Sequence, residues 1–97
     1  MEDKPLINKP VKIAITDELD LHTFRPEEVE GLLEDYFSEC IKHGIFTVRV
    51  IHGKGTGMLK KRVRSALKKN PQVASFSDAP PEAGGWGATL VALTPSA

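Results

Sequence analysis

The chain has 97 residues, of which 40% are hydrophobic and 27% charged, a composition typical of one small globular domain with a single core. Its apolar runs fall far short of the roughly 20 residues that a membrane-spanning helix needs, and the polar start from Met1 to Pro5 is unlike a signal peptide. The single cysteine, Cys40, excludes an internal disulfide and a zinc finger, so we expect a cytoplasmic protein that does not associate with membranes.

The formal net charge of +0 hides a separation of charge along the chain. Residues 1–41 contain 11 acidic and 4 basic side chains, whereas residues 42–69 contain 9 basic and no acidic ones. The basic run either creates a local positive field that attracts a phosphate-bearing partner or forms a solvated face paired with the acidic first third.

The first segments of the chain are predicted to be an arm and a strand. Residues 1–10 are polar and contain two prolines, which indicates a flexible arm, and residues 11–97 are predicted to form the single domain. From residue 11 to residue 16 apolar side chains alternate with less apolar ones, as in a half-buried strand that continues, after a kink, to His22. Because side chains two apart point the same way, Asp20 and His22 are expected to share the face opposite the core.

A first helix is predicted to begin at Pro26 and to end at the cap formed by residues 42–44. Proline and two carboxylates suit the first turn, an apolar stripe at helical spacing follows, and glycine at position 44 suits the end. Residues 45–51 are nearly all apolar and β-branched, which is typical of a central strand. A basic helix is then predicted from Met58 to Lys69, before Asn70-Pro71.

Two short strands, residues 73–76 and 89–93, are predicted on either side of a loop rich in proline and glycine. The resulting order is βαβαββ, an α/β fold with a mixed four-stranded sheet. The first two strands are expected to be parallel through a right-handed crossover and the last two to form an antiparallel hairpin, with the helices on one or both faces.

The segment His52-Gly53-Lys54-Gly55-Thr56-Gly57 lies between a predicted strand and the basic helix. Free backbone N–H groups and the helix dipole there favour an anion, although glycines also serve a tight reversal of the chain. The glycine spacing matches neither a Walker A loop nor a dinucleotide-binding fingerprint.

Asp20, His22 and His52 all lie at the C-terminal ends of predicted strands, at the edge of the sheet where sites of α/β proteins assemble. Together they are suited to phosphodiester hydrolysis, in which one group deprotonates the attacking oxygen and another protonates the leaving oxygen. For either histidine in isolation, a structural hydrogen bond is the favoured explanation. Trp86, within Gly84-Gly85-Trp86-Gly87, either stacks on a base at this site or closes the core.

Leu19-Asp20-Leu21-His22, the glycine segment and Gly84-Gly85-Trp86-Gly87-Ala88-Thr89 together resemble the Smr (small MutS-related) domain, in its stand-alone form, over roughly residues 17–93. The resemblance implies a two-layer βαβαββ sandwich with two main helices, in a family that includes nicking endonucleases acting on DNA and endoribonucleases. The family's Asp-Leu-His motif falls on residues 20–22 and its His-Gly-x-Gly motif on residues 52–55. The family often has glycine after the first motif, where this chain has Thr23.

We therefore expect an endonuclease that hydrolyses or nicks DNA or RNA, with Asp20, His22 and His52 as catalytic residues. Metal dependence is open, and Mg²⁺ or Mn²⁺ with Asp20 as a possible ligand fits this chemistry. The alternatives are a non-catalytic DNA- or RNA-binding module and a protein-interaction domain that uses the acidic first helix. The expected partner is nucleic acid, and a monomer is slightly favoured. The residues expected to contact phosphate or nucleic acid are Gly53, Lys54, Gly55, Thr56, Gly57, Lys60, Lys61, Arg62, Gly85 and Trp86.

Overall fold

A parallel pair of strands joined by a helix begins the fold. The computed structural model describes residues 15–53 and 57–95. Within these ranges the strands pair in the order β1-β2-β4-β3, with β1 and β2 parallel and β4 antiparallel to both of its neighbours. The predicted βαβαββ order and mixed four-stranded sheet are therefore confirmed. The elements are β1 (Glu18–Asp20), α1 (Val29–Lys42), β2 (Thr47–Ile51), α2 (Met58–Lys69), β3 (Val73–Asp78) and β4 (Ala88–Leu93).

One hydrophobic core lies between the sheet and the two helices, which gives the expected two layers. Alternate residues of the central strands, Val48 and Val50 on β2 and Val91 on β4, are buried in it, while Thr47 on the other face is exposed. The two helices contact each other and pack on the face of the sheet that carries Val48, Val50 and Val91. The core residues that α1 and α2 contribute are Val29, Leu33, Tyr36, Phe37, Cys40, Val63, Ala66 and Leu67.

The first strand is shorter than the alternation predicted. Residues 11–14 lie outside the described residues, and pairing with β2 begins where the Arg49 N–H donates to the Asp17 carbonyl at 2.8 Å. The preceding carbonyl, that of Thr16, accepts the Tyr36 hydroxyl from α1. This hydrogen bond joins the segment before β1 to α1.

The other boundaries differ from the predictions by a few residues. Residues Pro26–Glu28, predicted as the first turn of the helix, form a 3₁₀ turn before α1, and the Glu28 carboxylate accepts the Arg25 N–H at 2.9 Å. Strand β3 extends two residues beyond its predicted end because Asp78 pairs with Thr89 of β4. Helix α2 has its predicted bounds.

No helix among residues 15–53 and 57–95 is both long enough and apolar enough to span a bilayer.

Replacing Phe37 with alanine tests the core. Phe37 is fully buried, so Phe37→Ala is expected to lower the free energy of unfolding by about 3–5 kcal/mol, which urea denaturation measures. The exposed Glu34→Ala, on the same helix, is the control and is expected to change it by less than about 0.5 kcal/mol. Similar losses in the two variants would contradict this account of the core.

Candidate nuclease site

The candidate residues meet at one edge of the sheet. The register pairs Asp20 with Ile51 and Ile51 with Ala88, so β1 and β2 end beside the start of β4. The Leu21 N–H also donates to the Ile51 carbonyl at 2.8 Å. Asp20, His22 and His52 consequently lie close to this edge, which we call the catalytic edge after the role that the sequence predicts for these residues.

Asp20 and His22 form an exposed hydrogen-bonded pair. Asp20 Oδ1 accepts the backbone N–H of His22 at 3.0 Å and lies 2.7 Å from His22 Nδ1. The backbone N–H first and the ring second lower the pKa of Asp20, so its side chain is a carboxylate at neutral pH. Because a carboxylate only accepts, His22 Nδ1 donates and Nε2 keeps its lone pair in the neutral ring. The side chains are 50% and 68% exposed, which makes this pair accessible to a substrate.

His52 has the opposite environment. It is only 5% exposed, with Nδ1 3.0 Å from the Gly53 carbonyl oxygen and Nε2 2.8 Å from Thr89 Oγ1. The carbonyl only accepts, so Nδ1 donates to it and Nε2 accepts the Thr89 hydroxyl. Burial lowers the pKa of His52, which keeps the ring neutral. Both ring nitrogens are therefore occupied: Nδ1 bonds to the chain just after β2, and Nε2 binds the end of β2 to Thr89 of β4.

The two glycine segments lie against each other. The backbone N–H groups of His52 and Gly53 both donate to the Gly87 carbonyl, at 3.1 and 2.9 Å. Gly57 has a φ of 85°, and a Cβ atom there would lie 3.2 Å from Trp86 Cη2. The glycine is therefore needed both for its left-handed backbone and for the indole beside it. The intervening Lys54, Gly55 and Thr56 lie outside the described residues.

Trp86 lies on the surface beside these glycines. It is 48% exposed, so the indole does not close the core. Of the two roles predicted for Trp86, the structural one is therefore wrong. It belongs to a 3₁₀ turn over Gly85–Gly87, in which Gly85 has a φ of 55°.

The basic residues of α2 fall into two groups. Lys60 is buried, and its Nζ lies 3.0 Å from Asp78 Oδ1 and 4.0 Å from the centroid of the Trp86 ring. Asp78 has a lowered pKa, chiefly because of its hydrogen bond with Lys60. Lys61 and Arg62 are exposed. Of the α2 cations expected to contact phosphate, Lys60 thus has a carboxylate partner and the other two face solvent.

Comparison with known proteins decides the family. The sequence model of the Smr domain matches residues 19–94. The chain belongs to the Smr domain family. The expectation drawn from the three motifs is thereby confirmed.

The curated relatives of this Smr domain are much longer proteins. It is 41% identical over 92 residues to Endonuclease MutS2 of Thermus thermophilus and 40% identical over 90 residues to Endonuclease MutS2 of Helicobacter pylori strain J99. These alignments cover 95% and 93% of the chain but 12% of each relative. The chain therefore matches a small part of those proteins.

Two solved structures share the fold. The crystal structure of the Smr domain of Thermus thermophilus MutS2 superposes with a TM-score of 0.78 at 41% identity, covering 82% of this chain and 100% of that one. The crystal structure of YdaL, a stand-alone small MutS-related protein from Escherichia coli, superposes with a TM-score of 0.73 at 28% identity. This superposition covers 79% of this chain and 63% of YdaL.

The structure of this Smr domain adds two residues that sequence reasoning did not select. Thr89 donates its hydroxyl to Nε2 of His52, and Asp78 pairs with both Lys60 and Arg64. Asp78 is one of only two carboxylates after residue 69, which is a weak signal that it compensates the basic helix. Nothing in the sequence marks Thr89 as the partner of a histidine 37 positions earlier.

The described residues of this Smr domain contain no group of three or more His, Cys, Asp or Glu side chains placed to hold a metal ion. Asp20, the possible ligand, already accepts two hydrogen bonds at Oδ1. Asp20 alone does not make a Mg²⁺ or Mn²⁺ site, since Mg²⁺ takes six ligands in a near-octahedral arrangement.

Removing the Thr89 hydroxyl tests the structural role of His52. Thr89→Val leaves Nε2 without a donor in a buried position, so we expect the free energy of unfolding to fall by about 1–3 kcal/mol in urea denaturation. Thr47→Val makes the same change at an exposed position of β2 and is expected to alter stability by less than about 0.5 kcal/mol. Equal effects would contradict the role of this hydrogen bond.

The lowered pKa of His52 predicts a pH dependence of stability. The unfolded chain protonates this histidine as the pH falls through its ordinary value of 6.5, whereas the folded chain does so only at lower pH. Acidification therefore favours the unfolded state, and the free energy of unfolding should fall between about pH 7 and about pH 5. When the free energy of unfolding from urea denaturation is plotted against pH, the slope should be smaller for His52→Asn than for the wild type. An unchanged slope would rule out His52 as the source of the pH dependence.

Proposed function

We propose that this Smr domain is an endonuclease that cleaves phosphodiester bonds of DNA or RNA. The exposed Asp20–His22 pair is the observation that carries the proposal, because it presents a basic nitrogen beside a glycine segment at the catalytic edge. Membership of the Smr family and similarity to proteins named Endonuclease MutS2 support it.

In the proposed mechanism His22 is the general base. Asp20 holds the proton on Nδ1 and orients the ring, so Nε2 takes a proton from the attacking water as its oxygen forms a bond to phosphorus. The bond from phosphorus to the leaving oxygen breaks, and that oxygen takes a proton from solvent. Asp20 also stabilises the imidazolium that forms. His52 acts through the loop as a positioning residue, since both its nitrogens are occupied.

The start of α2 is the proposed phosphate site. The first N–H groups of a helix have no partner within it, and the positive end of the helix dipole favours an anion. The Gly53 N–H is donated to Gly87, so Gly53 shapes the turn, and the phosphate would instead be held near Gly57. Lys61 and Arg62, both exposed on α2, add positive charge nearby. Lys54, Gly55 and Thr56 remain part of the proposed site from their place in the sequence.

A nucleic-acid-binding module without hydrolysis is the second candidate. The half-exposed indole of Trp86, next to the glycine segments, favours it because aromatic rings bind bases without any chemistry. Such a module would bind nucleic acid in a salt-dependent way and would keep that binding after loss of Asp20.

A cleavage assay tests the endonuclease. Purified wild type is expected to cut end-labelled single-stranded RNA, duplex DNA or branched DNA in at least one of Mg²⁺, Mn²⁺ and EDTA. His22→Gln removes the base and is expected to reduce the rate by about 10²–10⁴-fold. Asp20→Asn is expected to reduce the cleavage rate too, because a neutral amide lacks the negative charge that stabilises the imidazolium of His22.

His43→Gln is the matched control for that assay. His43 is an exposed histidine at the end of α1, where its Nδ1 donates to the Glu39 carbonyl at 2.8 Å, so the rate should be unchanged. Full activity of His22→Gln would contradict the mechanism. Salt-dependent binding without cleavage by the wild type would replace the endonuclease with the binding module.

A further inference from the structure

Trp86 is the single tryptophan of the chain, and its position at the catalytic edge is fixed on two sides. The carbonyl of the next residue, Gly87, accepts the N–H groups of His52 and Gly53, which joins the turn to the end of β2. On the other side the rim of the indole lies next to Gly57, so close that a Cβ atom there would be 3.2 Å from Trp86 Cη2. The half-exposed ring is therefore held on a surface beside the glycine segments.

Lys60 covers one face of the indole. Its Nζ lies 4.0 Å from the ring centroid, within the range of a cation–π interaction, and the residue is 7% exposed. A buried ammonium group is stable only when it is paired, and Asp78 Oδ1 provides the partner at 3.0 Å. Arg64 Nη1, 3.1 Å from the same oxygen, holds the carboxylate in turn. Asp78 thus fixes Lys60, and Lys60 fixes the ring.

This arrangement suits a base better than a phosphate. Lys60 is buried and bound to Asp78, so it contributes to the position of the ring more than to direct contact with phosphate. Although Lys60 covers one face and Gly57 lies near the rim, 48% of the Trp86 surface is still exposed and available for stacking. A ring that is already fixed loses little conformational freedom when a base stacks on it.

Inside a duplex no base has a face available for this contact. Bases in a duplex are stacked on both sides, and a protein that uses the face of a base must act on a single strand or take the base out of the stack. The geometry therefore distinguishes between two classes of substrate.

We propose that Trp86, fixed by Lys60 and Asp78, is a stacking platform for an unpaired base, and that this chain binds single-stranded nucleic acid in preference to duplex. The inference rests on the proposed function, because it names the substrate class of that site. Trp86 contacts the base directly. Lys60 and Asp78 are positioning residues, since they act through the indole.

The fluorescence of Trp86 reports on this contact directly. The full chain is titrated with a short DNA strand, with the same strand annealed to its complement, and with an abasic strand of equal length. The base-containing single strand is expected to quench the fluorescence, and the duplex and the abasic strand to quench it much less. Quenching by the abasic strand as strong as that by the normal strand would overturn the proposal.

Affinities of the Trp86 variants are measured from the fluorescence anisotropy of a labelled single strand. Trp86→Leu is expected to bind about 5- to 150-fold more weakly, which corresponds to the loss of one stacked base. Trp86→Phe keeps an aromatic face and should retain most of the affinity. Unchanged affinity of Trp86→Leu would overturn the proposal.

Variants of Lys60 separate positioning from stability. Lys60→Met is expected to lower the fluorescence anisotropy of Trp86 and the affinity for the single strand, and Lys60→Arg is expected to restore both, because arginine also pairs with a carboxylate and stacks on an indole. Lys68→Met changes an exposed lysine of the same helix and should alter neither. Circular dichroism checks that each variant is folded. Reduced stability of Lys60→Met with unchanged anisotropy would overturn the positioning role.

The cleavage assay keeps this proposal distinct from the endonuclease. Base-dependent quenching without cleavage by the wild type would defeat the endonuclease and leave the stacking platform supported. Cleavage without base-dependent quenching would defeat the stacking platform alone.

Discussion

The hydrogen bonds of the buried His52 ring hold the catalytic edge together. One ring nitrogen donates to the carbonyl of Gly53 and the other accepts the hydroxyl of Thr89, so this side chain joins the end of β2 to the start of β4. The adjacent backbone N–H groups bind Gly87, which brings the turn containing Trp86 against the glycine segment. Because the ring is desolvated, its neutral form is favoured, and only that form both donates and accepts.

His22 and His52 both come just after strands, but they differ in exposure and in which ring nitrogens are occupied. His22 follows the edge strand β1 and is exposed, with a carboxylate that leaves Nε2 available. His52 follows the central strand β2, where β4 covers it. Strand order, which places β1 at the side of the sheet and β2 inside it, thus decides which histidine is exposed to solvent.

Local patterns predicted the elements well because helices and strands depend on nearby residues. The bounds of α2 and the apolar stripe of α1 follow from periodicity and from caps such as Gly44. The short β1 was not predicted, because the alternation of apolar side chains over residues 11–16 does not mark the residue at which the strand begins. The motifs located Asp20, His22 and His52, but their hydrogen-bond partners, Thr89 above all, become neighbours only through the sheet register. A count of charges along the chain likewise could not predict that Lys60 pairs with Asp78, which lies 18 positions later.

The central claim is that His22, and not His52, exchanges the proton during cleavage. The most direct measurement is the pH dependence of kcat/KM in the wild type, in Thr89→Val and in Asp20→Asn. Thr89→Val removes the hydrogen-bond partner of His52, whereas Asp20→Asn changes the partner of His22. The account predicts that the acidic limb of the profile is the same in the wild type and Thr89→Val, and that it shifts in the residual activity of Asp20→Asn. A limb that shifts in Thr89→Val and stays in place in Asp20→Asn would assign the proton to His52 and contradict the account.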